Sequence, residues 1–147
     1  MMRPLTIGLC LLLVSFVALS LGVTTAPQGD RDAAFEQCAR ACNDCQRACD
    51  MCATYCAKQL AAGKSDHLVT LQTCQDCATH CAAAASVTAR KGPFTDTICT
   101  ACVEACKRCA VACEKFSDDP MVKSCAEECR KCERACQDML SHTSRGE

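Results

Sequence analysis

The pattern that organises this chain is the spacing of one small apolar residue, cysteine, against polar neighbours. Eighteen cysteines downstream of residue 30 fall into four groups. The first is Cys38, Cys42, Cys45, Cys49, Cys52 and Cys56; the second is Cys74, Cys77 and Cys81. The third is Cys99, Cys102, Cys106, Cys109 and Cys113; the fourth is Cys125, Cys129, Cys132 and Cys136. Within every group the steps alternate between three and four residues. That alternation is the heptad period of helices packing along one seam, and residues three or four apart share a helix face. Each group therefore predicts one helix carrying a stripe of sulfur. If the residue before a three-step is called a and the residue after it d, all 18 cysteines are a or d. Between the first and last cysteine of a group, no a or d position holds anything else. The intervening Ala, Arg, Lys, Glu, Gln and Asp are good or tolerable on a solvated helix surface.

Punctuation agrees with four helices. Asp30 or Asp32 can cap the first, and Gly63 follows it as a stop. Ser65 or Asp66 can cap the second, which Gly92–Pro93 ends. Thr95 can cap the third, which runs to about Phe116 before the loop Ser117–Asp118–Asp119. Asp119 before Pro120 is a cap followed by the favoured first-turn proline, and the fourth helix runs to about His142. Connections of a few residues join antiparallel neighbours, so the predicted fold is all-α, an up-down-up-down four-helix bundle. Stripes at a and d point to the bundle axis, giving a cysteine-lined core.

The amino terminus follows a different pattern. Arg3 precedes an uncharged apolar run of 19 residues, Leu5 to Val23, after which Thr24 to Asp30 turns polar. This reads as a secretory signal peptide over residues 1–26, with cleavage after Ala26 or, because Pro27 hinders it, after Gly22. The expected protein is thus exported, periplasmic or secreted. If uncleaved, the run is just long enough to anchor the chain in a membrane. Cys10 lies inside the run, which disfavours a lipoprotein cysteine, and no Arg–Arg pair marks the twin-arginine route. Residues 27–147 form the expected mature domain.

Composition sharpens the puzzle of the core. Of the chain's 147 residues 19 are Cys, whereas aromatics make up 3% and Trp is absent. From residue 27 onward only four Leu, one Ile, five Val and three Phe remain to build an interior. Ala and Cys must supply most of it. The net charge of -1 lacks the basic footprint of a nucleic-acid surface, and the few aromatics offer no base-stacking platform. No catalytic constellation stands out. A CxxC thiol oxidoreductase would need one exposed, low-pKa cysteine, and mid-helix buried pairs are the wrong setting.

Three chemistries suit so many thiols. Buried Cys behaves as a small hydrophobe, but Val, Ala or Leu would pack as well without the oxidation liability. A disulfide scaffold fits export and the even count, yet adjacent stripe positions have near-parallel Cβ directions, unlike the ~90° dihedral of an S–S bond. The third chemistry is metal binding, since thiolates select Cu(I), Zn(II) or iron–sulfur clusters. The bacterial Fe–S spacing has two consecutive three-steps, which never occur here. Structural zinc wants four ligands in a tetrahedron, whereas straight helices are expected to offer pairs of sulfurs, such as Cys42/Cys45 or Cys106/Cys109. Cu(I) accepts two or three thiolates, and shared thiolates lower the charge per metal, which makes a buried multi-metal core tolerable. A disulfide-stapled or Zn(II)-binding bundle stays as the alternative.

At this point the sequence resembles a known family, the bacterial cysteine-rich four-helix-bundle copper storage proteins. The motifs that carry the resemblance are CARACNDCQRACDMCATYC, CQDCATHC, CTACVEACKRCAVAC and CAEECRKCERAC, within about residues 30–143. The resemblance implies multiple Cu(I) ions per chain, held along the core by the 18 cysteines, in storage, buffering or detoxification. It also implies a homotetramer, and His and Met near the mouth where copper is taken in. Going back seven from Cys74 puts His67 at an a position at the start of the second helix. Met121, at g, falls at the same end of an antiparallel bundle. His67 and Met121 are therefore the candidate uptake ligands. Met139, at d, belongs to the opposite end near Phe35 and reads as core filler. His80 and Met51 read as surface or subunit-contact residues, and Tyr55 lies beside the stripe.

Overall fold

The heptad signal is realised as four helices in the computed structural model, which describes residues 28–143. The leader, its cleavage positions and Cys10 lie outside the described residues. Helix α1 spans Gln28–Ala61, α2 Leu68–Ala89, α3 Thr95–Glu114 and α4 Pro120–Thr143. With 34 residues, α1 is about 51 Å long at ~1.5 Å per residue. Among the described residues there is no strand, and no helix is long and apolar enough to cross a membrane. Each helix packs on its two neighbours, α1 on α2 and α4, and α3 on α2 and α4, with none touching across the diagonal. That is a square up-down-up-down bundle.

Helix ends follow backbone chemistry more closely than side-chain preference. α1 ends as predicted at Gly63, whose φ of 86° is the left-handed conformation that lacks a penalty only in glycine. The Lys64 and Gly63 amides donate to the carbonyls of Gln59 and Leu60, the paired bonds of a Schellman motif. α2 ends in the same motif, through Gly92 to Val87 and Lys91 to Thr88. There, however, Lys91 takes the left-handed position at φ 50°, not the predicted Gly92. One residue later the space is tight, since a Cβ at Gly92 would lie 3.2 Å from Val87 Cγ1.

The starts differ from one another. Asp119 caps α4 as predicted, its Oδ1 accepting from the Met121 and Val122 amides at 2.9 and 3.3 Å. Neither Ser65 nor Asp66 caps α2. A 3₁₀ turn over Ser65–His67 leads into that helix instead and carries His67 into the interior. Thr95 also does not cap α3. It is the first helical residue, and its hydroxyl donates to Gly92 O at 2.7 Å, closing the preceding turn.

The interior is built as the stripes require. Seventeen of the cysteines are fully buried, and Cys125 is 1% exposed. Small Ala residues beside the seam, including Ala53, Ala78, Ala110 and Ala126, are also buried and let the helices approach closely. Beyond the last cysteines the a and d register continues with other residues. His67, Thr70 and Val122 close one end; Phe35, Ala84, Thr88, Thr95 and Met139 close the other. Ala84 and Thr88, which continue the α2 stripe beyond Cys81, are part of this packed plug.

Candidate metal centre

The bundle converts four one-dimensional stripes into a connected column of sulfur. At the α3 amino-terminal end, Cys38 Sγ lies 3.5 Å from Cys136 and 3.9 Å from Cys99. Cys42 then meets both Cys136 and Cys132 at 3.6 Å. In the middle, Cys81 is 3.6 Å from Cys102 and from Cys106, and Cys45 is 3.7 Å from Cys129. Towards the other end, Cys49 is 3.7 Å from Cys129 and 3.8 Å from Cys125, and Cys74 is 3.6 Å from Cys109. All 18 are free thiols. The shortest of these separations is well beyond the ~2.05 Å of a disulfide.

These sulfurs form quartets, not only pairs. Cys42/Cys102/Cys132/Cys136, Cys45/Cys49/Cys77/Cys129, Cys45/Cys77/Cys81/Cys106, Cys49/Cys109/Cys125/Cys129 and Cys52/Cys74/Cys113/Cys125 each keep all four Sγ atoms within 4.8 Å of one another. This corrects the expectation that straight helices present pairs alone: facing helices contribute across the axis what one helix cannot. A tetrahedron with ~2.3 Å metal–sulfur bonds has edges of ~3.8 Å, so size alone accommodates zinc. Overlap is the distinguishing feature. Cys45, Cys49, Cys77, Cys125 and Cys129 each belong to two of these five quartets, so adjacent sites must share bridging sulfurs, whereas closed structural zinc sites use four ligands each.

The electrostatics of the column resist bare thiolates. Burial, followed by the neighbouring Cys52 thiol, pushes Cys56 up to about 12. Contact with Cys136 favours a thiolate at Cys99, but contact with Cys38 and burial outweigh it and raise it to about 12. In the interior, contact with Cys106, then with Cys129, favours a thiolate at Cys45. Cys106 and Cys129 are held protonated, raised foremost by contact with Cys102 and with Cys109 respectively. A cation that replaces the protons relieves this repulsion.

At the mouth, His67 is buried, stacked on Phe116 with ring centroids 4.1 Å apart and edge-on to Tyr55 at 6.3 Å. Its Nδ1 is buried without a hydrogen-bond partner. Tyr55 donates to Asp119 Oδ2, tying α1 to the start of α4. That bond holds the Tyr55 hydroxyl above its ordinary range. Burial opposes ionisation of Asp119, yet the bonds from Tyr55, Val122 and Met121 prevail and hold it below the usual carboxylate range. Met121 lines two surface grooves with Met51, one of which also includes Tyr55, the neighbour of His67. Met139 is fully buried, and His80 is half-buried with Nδ1 2.9 Å from Asp76 O. One feature was missed in the sequence. Tyr55–Asp119 joins distant residues and leaves no spacing signal. Thr88, whose hydroxyl is 3.3 Å from Cys99 Sγ, does have one, since it continues the a register from Cys81.

An all-α bundle with a dry, overlapping thiol column defines a class: a helical scaffold that holds several soft metal ions by shared sulfur. Comparison with known proteins narrows this. The family model described as copper storage protein matches residues 31–141, and the chain belongs to that family. Copper storage is accordingly its function. No curated protein matches the chain. Among solved structures, a cytosolic copper storage protein from Streptomyces lividans, loaded with five coppers, superposes with a TM-score of 0.71. It is 31% identical, over 77% of this chain and 97% of that one. Apo copper storage protein 3 from Bacillus subtilis superposes with a TM-score of 0.63 at 31% identity, over 71% and 97%. The expectation of an exported, periplasmic, secreted or membrane-anchored protein is overturned by the first comparison, since that relative is cytosolic. Physically, a core of 18 unpaired thiols suits a compartment that keeps thiols reduced.

Proposed function

We propose that residues 27–147 store multiple Cu(I) ions by bridging them between the 18 core cysteine thiolates, without catalysing a reaction. The observation that carries this is the overlap of the sulfur quartets. Each Cu(I) neutralises one thiolate, so filling the column removes the charge that burial penalises. Soft thiolates match soft Cu(I), and shared vertices suit a metal content of the order of the thiol count. In this reading His67 serves as a ligand at the mouth, with its unpartnered Nδ1 in support. As the family resemblance implies, the bundles associate as homotetramers.

The test is an anaerobic titration of the reduced chain with Cu(I) against a competing chelator, with thiols counted in parallel. Uptake of many equivalents per chain, with loss of thiol reactivity in step, is expected. Tight binding of only one or two ions, or disulfide formation in place of uptake, would contradict the reading.

A further inference from the structure

Copper enters and leaves a column whose ends are closed by packed side chains, so the closures govern how fast it exchanges. At the His67 end the closure rests on few contacts. Phe116 lies two residues past α3, and its ring is stacked on His67 with centroids 4.1 Å apart. His67 is 5% exposed, so an ion in solvent cannot reach its imidazole while that ring stays in place. Phe116 also opens the short loop 116–119, which ends at the α4 cap. Two backbone bonds shape the loop, Phe116 N to Cys113 O and Asp119 N to Phe116 O, both 2.9 Å. Among the described residues, one side-chain hydrogen bond ties it across to another helix, from the Tyr55 hydroxyl of α1 to Asp119 Oδ2. Asp119 spends its other oxygen, Oδ1, on the α4 amides of Met121 and Val122. Tyr55 is itself edge-on to His67 and precedes Cys56, the last thiol of the α1 stripe. The tie thus sits where the sulfur column ends.

We propose that the Tyr55–Asp119 bond is a latch: it holds the 116–119 loop shut over His67 and breaks each time a Cu(I) ion passes that end of the column. The inference rests on the storage reading and adds what controls exchange. A phenol donating to an ionised carboxylate makes one of the stronger hydrogen bonds, which suits a closure that must hold. It can still open, because Tyr55 and Asp119 are only half-buried and water replaces the lost partner when the loop lifts. Asp119 keeps its α4 amides meanwhile, so the helix start does not have to melt. No core sulfur takes part in the bond, so the latch is the same in the empty and the filled bundle. Its removal therefore lowers the barrier equally for entry and exit and leaves the affinity unaltered. Loss of a copper ligand acts differently, since it changes the affinity itself.

The experiment uses the full reduced chain and Tyr55→Phe, which keeps the ring beside His67 and removes only the hydroxyl. Uptake of Cu(I) from a chelator complex, and its extraction from the loaded protein by excess chelator, are both followed in time. Capacity and affinity are measured at equilibrium. Both rates should rise by about tenfold, the effect of losing a hydrogen bond to a charged acceptor, with capacity and affinity unchanged. Amide hydrogen exchange at Asp119, Met121 and Val122 should quicken alongside, while amides in the middle of α2 and α3 keep their protection. Asp119→Asn retains a capping residue but offers Tyr55 no charge. It should shift both rates the same way, and it carries the test if Tyr55→Phe does not fold. Unchanged rates in the folded variant would overturn the latch. So would a change in affinity or in one rate alone, which makes Tyr55 a ligand, or faster exchange throughout all four helices, which makes its role merely structural. These outcomes leave the storage reading standing. That reading fails separately, through low capacity in the unaltered chain.

Discussion

Cys49 and Cys129 allow storage to be separated from folding. They are 3.7 Å apart, and both belong to the same two quartets, Cys45/Cys49/Cys77/Cys129 and Cys49/Cys109/Cys125/Cys129. The C49A/C129A variant reduces each of those quartets to a pair and leaves the other three of the five intact. Deleting one buried atom costs about 1 kcal/mol in lost transfer free energy and residual cavity. Alanine returns up to ~0.7 kcal/mol per site through its helix propensity. The two sites touch, so their effects are not additive, but the apo bundle should lose no more than about 2 kcal/mol. The copper-dependent change is larger. Each ion held at a hundredfold excess over its Kd stabilises the fold by ~2.7 kcal/mol, so losing two ions removes about 5 kcal/mol. Chemical denaturation of apo and copper-loaded protein, with capacity measured beside it, reads both quantities. The expected result is a near-normal apo midpoint, a lower capacity and a reduced copper-dependent gain. A folded variant with full capacity and the full gain would show that copper resides elsewhere.

Two further outcomes follow from the electrostatics. Copper must displace protons from thiols such as Cys56 and Cys99, both raised to about 12. Apparent Cu(I) affinity should therefore rise with pH, by about tenfold per unit for each proton released, and a pH-stat titration counts those protons. Asp119→Ala removes the α4 cap and should cost about 1 kcal/mol at neutral pH. The native carboxyl is held below its ordinary value, so its contribution is present above the unfolded pKa of ~3.9 and is lost as pH falls through the folded one. Urea midpoints of the two proteins should converge in acid.

Much of this protein can be read without coordinates. Alternating steps of three and four are a local property, and they alone specify four helices, the face each buries and the continuation of that face through Thr70, Thr88 and Met139. The cap at Asp119 and the stop at Gly63 are equally local, because each acts on backbone groups within a few residues. Other features depend on how helices meet. Whether facing sulfurs make pairs or quartets depends on axial register and helix separation, which arise from the packing of all four rods at once. The same is true of His67, turned inward by a 3₁₀ turn onto Phe116, and of Met51 and Met121, 70 residues apart in the chain yet lining one groove. Periodicity is set by the chemistry of a single helix, whereas the sharing of sulfurs between sites exists only once four helices enclose a common axis.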